Sequence, residues 1–104
     1  MAQYLFFYEL SQAADSDLND IYDYTAREFG DAQAEKYLTS FEAIFQNLCV
    51  HPALWRKRDD VRKGLRSISN ESHTIFYRVL KDRIRIVRVM HGSRDVFRFL
   101  KQSR

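Results

Sequence analysis

Arginines and histidines in the second half of this chain are the residues whose types and spacing suit chemistry. Arg66, Arg78, Arg88 and Arg94 fall within thirty residues of one another, together with His73, His91 and Tyr77. Such a set suits a phosphate-rich or carboxylate-rich partner. Cations hold developing or fixed negative charge, and an imidazole moves a proton near neutral pH. Arg66, His91 and Arg94 form one possible acid–base set, with His73 as a further member. The plainer roles are a structural imidazole for His91, a turn contact for Arg94–Asp95, and arginines lying over aromatic faces. His51, His73 and His91 lack the spacing of a zinc site, and three glycines leave no phosphate-cradling loop. No cofactor is expected.

The elements that must position these residues are two apolar runs, Thr74–Leu80 and Ile84–Met90. Both are rich in Ile, Val, Phe and Tyr, and Lys81-Asp82-Arg83 links them as a hairpin. Leu65–Ser69 reads as a short strand before them, with a turn at Asn70-Glu71-Ser72. Ala53–Lys63 reads as a loop in which Arg56, Lys57, Arg58, Arg62 and Lys63 face Asp59 and Asp60.

Upstream, Tyr4–Leu10 predicts a first strand. Ser11 stands at an N-cap position, and Asp15 adds a carboxylate to the first helical turn. From Gln12 to Phe29 the stripe Leu18, Ile21, Tyr22, Thr25, Phe29 has the spacing of an amphipathic helix, with Asp17, Asp20, Asp23 and Arg27 turned away. Gly30 ends it and Asp31 is placed to cap a second helix, from about Ala32 to Cys49. The buried stripe there is Ala34, Tyr37, Leu38, Phe41, Ile44, Phe45 and Leu48. His51-Pro52 stops that helix. The aromatic stripes serve the core first and a partner groove second. The order β-α-α-β-β-β predicts an α+β fold, an antiparallel helical hairpin on one face of an antiparallel sheet. The segment after Asp95 fits a strand, a helical turn or a frayed tail.

The 104 residues are 45% hydrophobic and 14% aromatic, which suits a single domain spanning 1–104. No run is long enough for a membrane helix, and the apolar patch Tyr4–Tyr8 is too short for a signal peptide. One cysteine, Cys49, cannot staple its own chain, so the cytoplasm is the expected compartment. Residues 1–55 carry 2 basic and 9 acidic side chains, a balance of −7. Residues 56–104 carry 15 and 5, a balance of +10. A basic module of this kind attracts nucleic acid or an acidic protein segment, and part of its charge meets the acidic half.

One family matches these residues in order. Ala13-Ala14-Asp15 and Asp17-Leu18 precede Ile21 and Tyr24. Phe29-Gly30 is followed by Gln33-Ala34 and Tyr37, then by His51-Pro52 and Gly64-Leu65-Arg66-Ser67. Ser72-His73-Thr74-Ile75-Phe76-Tyr77-Arg78 and Ile86-Val87-Arg88-Val89-Met90-His91-Gly92-Ser93-Arg94-Asp95 complete the set. With these the chain resembles ParE-type toxins of the RelE/ParE toxin–antitoxin superfamily, over nearly its whole length.

The resemblance implies a compact α+β toxin neutralised by a cognate antitoxin. Such antitoxins usually join a ribbon-helix-helix DNA-binding part to a disordered tail, so operator DNA is reached only through them. It also implies poisoning of DNA gyrase by binding. RelE-like relatives instead cut messenger RNA on the ribosome. The cutting pattern is poorly matched: Thr74 stands where it has arginine, Leu65, Ser67 and Ile68 where it has lysines, and no tyrosine follows Tyr77. The reading is therefore a non-catalytic toxin that meets its antitoxin or target through Arg56, Arg58, Arg66, Tyr77, Arg78, Arg88 and Arg94. The alternative is an endoribonuclease using Arg66, His91 and Arg94.

Overall fold

A computed structural model describes residues 7–53 and 55–92. The element order is β1 (Phe7–Leu10), α1 (Gln12–Phe29), α2 (Asp31–Val50), β2 (Arg56–Lys57), β3 (Leu65–Asn70), β4 (His73–Val79) and β5 (Arg83–His91). The start of the expected first strand, Tyr4 to Phe6, lies outside the described residues. The tail beyond Gly92, with Arg94, lies outside them too.

Local chemistry sets the helix ends. The Ser11 hydroxyl accepts from the Ala14 amide at 2.9 Å, and donates to the Val87 carbonyl of β5 at 2.8 Å. One side chain thus caps α1 and ties it to the sheet. Gly30 joins the two helices at φ 95°, a conformation costly for any residue with a Cβ. Its amide closes α1 on the Ala26 carbonyl, and its carbonyl opens α2 by accepting from Ala34. This corrects the expectation for Asp31, which is the first residue of α2 and not its cap. Its carboxylate still sits in the first turn, where the helix dipole favours it.

Strands run in the order β1-β5-β4-β3-β2. The β2–β3, β3–β4 and β4–β5 pairs are antiparallel, but β1 lies parallel to β5, Tyr8 beside Ile84 and Leu10 beside Ile86. The sheet is mixed where an antiparallel one was expected. The long excursion through both helices explains how β1 can lie parallel: no tight turn links it to its neighbour. The loop reading of Ala53–Lys63 also needs revision. Arg56 and Lys57 pair with Ser67 and Arg66 as a two-residue edge strand, too short to show a period-2 pattern.

The helices cover one sheet face. Leu18 and Ile21 of α1 and Phe41, Phe45, Leu48 and Cys49 of α2 pack on Ile75, Tyr77, Ile84, Ile86 and Val89. Phe41 and Phe45 are at most 1% exposed, each worth roughly 1.5–3 kcal/mol of transfer free energy. Cys49 is buried, and that burial pushes its thiol pKa up. On the opposite face a small cluster forms from Leu65 and Phe76, with Val61, Val87 and Met90 against it. No helix among the described residues is long and apolar enough to cross a membrane.

Candidate partner-binding surfaces

The arginines singled out from sequence fall into two groups. Arg88 leaves β5 beside a register shift between Phe76 and Tyr77, and its guanidinium meets Asp17 of α1 at 2.8 and 2.9 Å. Asp17 also accepts from the Val89 amide at 2.9 Å. Its side chain is only 14% exposed, so the pair links helix to strand in partial shelter from water. Asp17, expected to face away from the apolar stripe, is thus the clamp between the layers. Arg66 donates to the carbonyls of Ala53 and Trp55 at 3.2 and 2.7 Å, and Arg78 to that of Lys63 at 2.8 Å. Both brace the 51–64 segment against the sheet. Tyr77 is fully buried, and its hydroxyl donates to the Pro52 carbonyl at 3.2 Å. Burial raises its pKa, with Arg66 pulling the other way.

The second group, Arg56 and Arg58, lies at β2, and two arginines not singled out from sequence, Arg83 and Arg85, stand beside β1. Arg85 contacts Glu9 at 2.6 Å, and Arg83 lies 3.0 Å from the same oxygen. Hydrogen bonds from Arg83 and then Arg85 hold the Glu9 carboxyl below its ordinary pKa. Arg58 forks onto Asp60 at 3.1 and 3.2 Å, reaches Ser67, and stacks over the Phe76 ring at 5.6 Å. Arg56, one pair further along β2, is exposed.

A groove of about 890 Å³ runs between α1 and the end of the sheet where β4 begins and β5 stops. Asp17, Asp20, Tyr24 and Phe29 line the helix side, and His73, Met90 and His91 the sheet side. Tyr24 and Phe29 are 55% and 67% exposed. Phe29, expected in the core stripe, lies a turn beyond the last buried residue of α1 and joins the groove instead. Tyr24 was missed, because an aromatic one step off the stripe gives no periodic signal. The groove floor carries a polar relay. The Tyr37 hydroxyl lies 3.1 Å from the Asn70 carbonyl, to which it can donate, and 2.8 Å from His73 Nδ1. His73 and His91 stand opposite each other across β4 and β5, ring centroids 5.0 Å apart.

The alternative catalytic set is spread out. Arg66 is directed at the 53–55 carbonyls, His91 lies against His73 in the groove, and Arg94 is outside the described residues. Among the described residues no group of three or more His, Cys, Asp or Glu side chains gathers as a metal site. The arrangement supplies an apolar groove edged with carboxylates on one side of the molecule and a cationic sheet face on the other. Both are suited to docking.

Comparison with known proteins agrees with this architecture. A family profile described as the ParE toxin of the type II toxin–antitoxin system parDE matches residues 8–96. The chain is 40% identical over 94 residues to Toxin ParE1 of Mycobacterium tuberculosis (strain CDC 1551 / Oshkosh), covering 89% of this chain and 96% of that one. To Toxin ParE1 of Caulobacter vibrioides it is 36% identical over 86 residues, covering 83% and 88%. A solved structure titled as the chromosomal ParDE toxin–antitoxin system from P. aeruginosa superposes with a TM-score of 0.75 at 21% identity, over 86% of this chain and 99% of that one. That likeness speaks to the fold. The profile and the relatives speak to the family: this chain belongs to the ParE toxins of type II toxin–antitoxin systems.

Proposed function

We propose that this ParE-family toxin acts by binding, with DNA gyrase as its target, and that a cognate antitoxin neutralises it in the cytoplasm by docking onto it. The observation that carries the non-catalytic reading is how the sheet's polar groups are used. Metal-free RNA cleavage needs cations and an acid–base group turned toward one phosphate. Here Arg66 and Arg78 are spent on backbone carbonyls, Arg88 is forked onto Asp17, and Tyr77 is buried. Gyrase as target is carried over from the family resemblance.

The antitoxin reading draws on the α1 groove and the cationic face together. An amphipathic helix would lay apolar side chains on Tyr24, Phe29 and Met90. A ribbon-helix-helix part on the same antitoxin would reach operator DNA, since no element among the described residues is shaped to read a groove. The test is a supercoiling assay with purified gyrase. The toxin should inhibit it in proportion to its concentration, and equimolar antitoxin should restore it. Unchanged supercoiling at a large toxin excess, with codon-specific RNA ends appearing after a pulse of expression, would favour the nuclease.

A further inference from the structure

The open face of the sheet sets like charges side by side. Arg85 of β5 pairs directly with Arg78 of β4, and Arg78 with Leu65 of β3. Paired residues share a sheet face, and Leu65 belongs to the small cluster on the side away from the helices. Arg78 and Arg85 therefore stand together on that side, about 5 Å apart at their Cα atoms. Like charges directly opposite one another destabilise a ladder. Glu9 pairs with Arg85 from β1. Phe7 pairs with Arg83, two residues along on the same face.

Little offsets this group. One Glu9 oxygen serves both Arg85 and Arg83, at 2.6 and 3.0 Å, and Asp82 meets Arg83 at 2.9 Å. Arg78 meets no carboxylate among the described residues. It donates from one nitrogen to the Lys63 carbonyl, which fixes its guanidinium. Lys63 is itself exposed beside it, and Lys81 is exposed in the β4–β5 link, so five cations stand against two carboxylates. The Arg85 side chain is 43% exposed and Phe7 55%. Leu65, the apolar member of the row Glu9–Arg85–Arg78–Leu65, is fully buried. An incoming peptide would find no apolar pocket in this row to anchor it, whereas a phosphate backbone needs only cations within reach.

We propose that Arg78, Arg83 and Arg85 bind the phosphate backbone of DNA, with Phe7 stacking on an exposed base beside them. The proposal deepens the gyrase reading, and rests on it for which DNA is met: the segment that gyrase holds. Each guanidinium presents a fork that matches two phosphate oxygens. A phosphate between Arg78 and Arg85 relieves their mutual repulsion, so the pair that costs stability in the free toxin favours the bound one. Phe7 offers its ring face to any base, which gives attachment without sequence preference. Holding a phosphate needs no acid–base group, so this row binds where it lacks the means to cut.

Fluorescence anisotropy of a labelled DNA single strand of about 12 nucleotides with the purified toxin tests this. Three phosphate contacts predict that log K falls with log salt at a slope of about −2. In about 0.1 M salt, Arg85→Glu should weaken binding at least about tenfold and make the slope shallower by about 0.7. Arg85→Gln adds no carboxylate beside Glu9 and should still lose about threefold, while Arg85→Lys should stay within about twofold. Lys36→Glu makes the same change in net charge at an exposed position of α2, and should change binding less than about twofold. Equal losses in Arg85→Glu and Lys36→Glu would mean attraction by net charge alone and overturn the proposal. So would equally tight binding of a polyglutamate peptide of similar charge, which would make the face a site for acidic segments. In the supercoiling assay, Arg85→Glu should need about tenfold more toxin for half inhibition. Inhibition unchanged in Arg85→Glu overturns the proposal and leaves gyrase as the target. No inhibition by the unaltered toxin, with Arg85-dependent DNA binding intact, removes gyrase and keeps the phosphate site.

Discussion

The two faces of this sheet use the same residue type for opposite ends. On the helix side, Arg88 and Arg66 are tied into the fold: one clamps α1 through Asp17, the other holds the 53–55 carbonyls. On the open side, Arg83, Arg85 and Arg56 stand near the surface, with Glu9 shared by two of them. The difference lies in what each guanidinium faces. A partly sheltered arginine must be matched by a carboxylate or carbonyl, because leaving it unmatched costs several kcal/mol. Arg56, exposed to solvent, needs no such match and remains available to a second molecule. Counting arginines along the sequence therefore overstates the binding surface.

The largest test of that division is Asp17→Ala. It removes both acceptors of the Arg88 fork and the partner of the Val89 amide, and should cost about 2–3 kcal/mol in denaturant unfolding. If Asp17→Ala unfolds at the denaturant midpoint of the unaltered chain, Arg88 belongs with the open group. Next comes Tyr77→Phe, which keeps the buried ring and loses the bond to the Pro52 carbonyl. About 1 kcal/mol is expected. The raised Tyr77 pKa adds a pH signature. Folding favours the neutral phenol, so its contribution is complete below the unfolded value of 10.0 and declines as pH rises through the higher folded value. Alkaline unfolding should thus soften in Tyr77→Phe, which has no phenol to ionise.

Both helices and the long strands were legible because each carries a period. The α1 limits Gln12–Phe29 follow from the Ser11 cap, the Leu18–Ile21–Thr25 spacing and Gly30, all local signals. What the sequence hid depends on contacts between distant residues. Asp17 reads as a solvated carboxylate until β5 brings Arg88 to it, 71 positions later. The parallel placing of β1 leaves no mark in Phe7–Leu10, since the direction of pairing is set by where the chain returns as β5 and not by the strand's own residues. His73 and His91 are 18 positions apart and meet only through the β4–β5 register. Thus the groove was half legible. Its aromatic content showed in the helix, but which aromatics faced outward was settled by where α1 crosses the sheet.

Acid sharpens the comparison on the open face. The lowered Glu9 pKa means that its bonds to Arg83 and Arg85 favour the folded state above the ordinary carboxylate value of 4.5. That contribution is lost as pH falls through the lower folded value. Glu9→Gln should therefore cost a small amount of stability at neutral pH, and the difference from the unaltered chain should close as pH falls below about 4.5, flattening the acid limb. High salt should shrink the difference, since the pair is near the surface. A loss of stability in Glu9→Gln that is equally large at pH 7 in 1 M salt would place this pair with the sheltered clamp.

The smallest stability effect is expected where the functional effect is large. Arg56 is exposed on a two-residue edge strand, and replacing it removes no buried group. Arg56→Glu should therefore move Tm by less than about 2 °C, a shift typical of surface substitutions. It should nonetheless reverse the charge at an exposed position that the sequence reading assigns to antitoxin or target binding, slowing association most at low ionic strength. Arg88→Glu should do the reverse, costing stability first through repulsion of Asp17. Measuring Tm and antitoxin association rate for both variants places each arginine on two axes. An Arg56→Glu protein that melts early, yet binds at the unaltered rate, would show that the edge strand is part of the scaffold and not a contact surface.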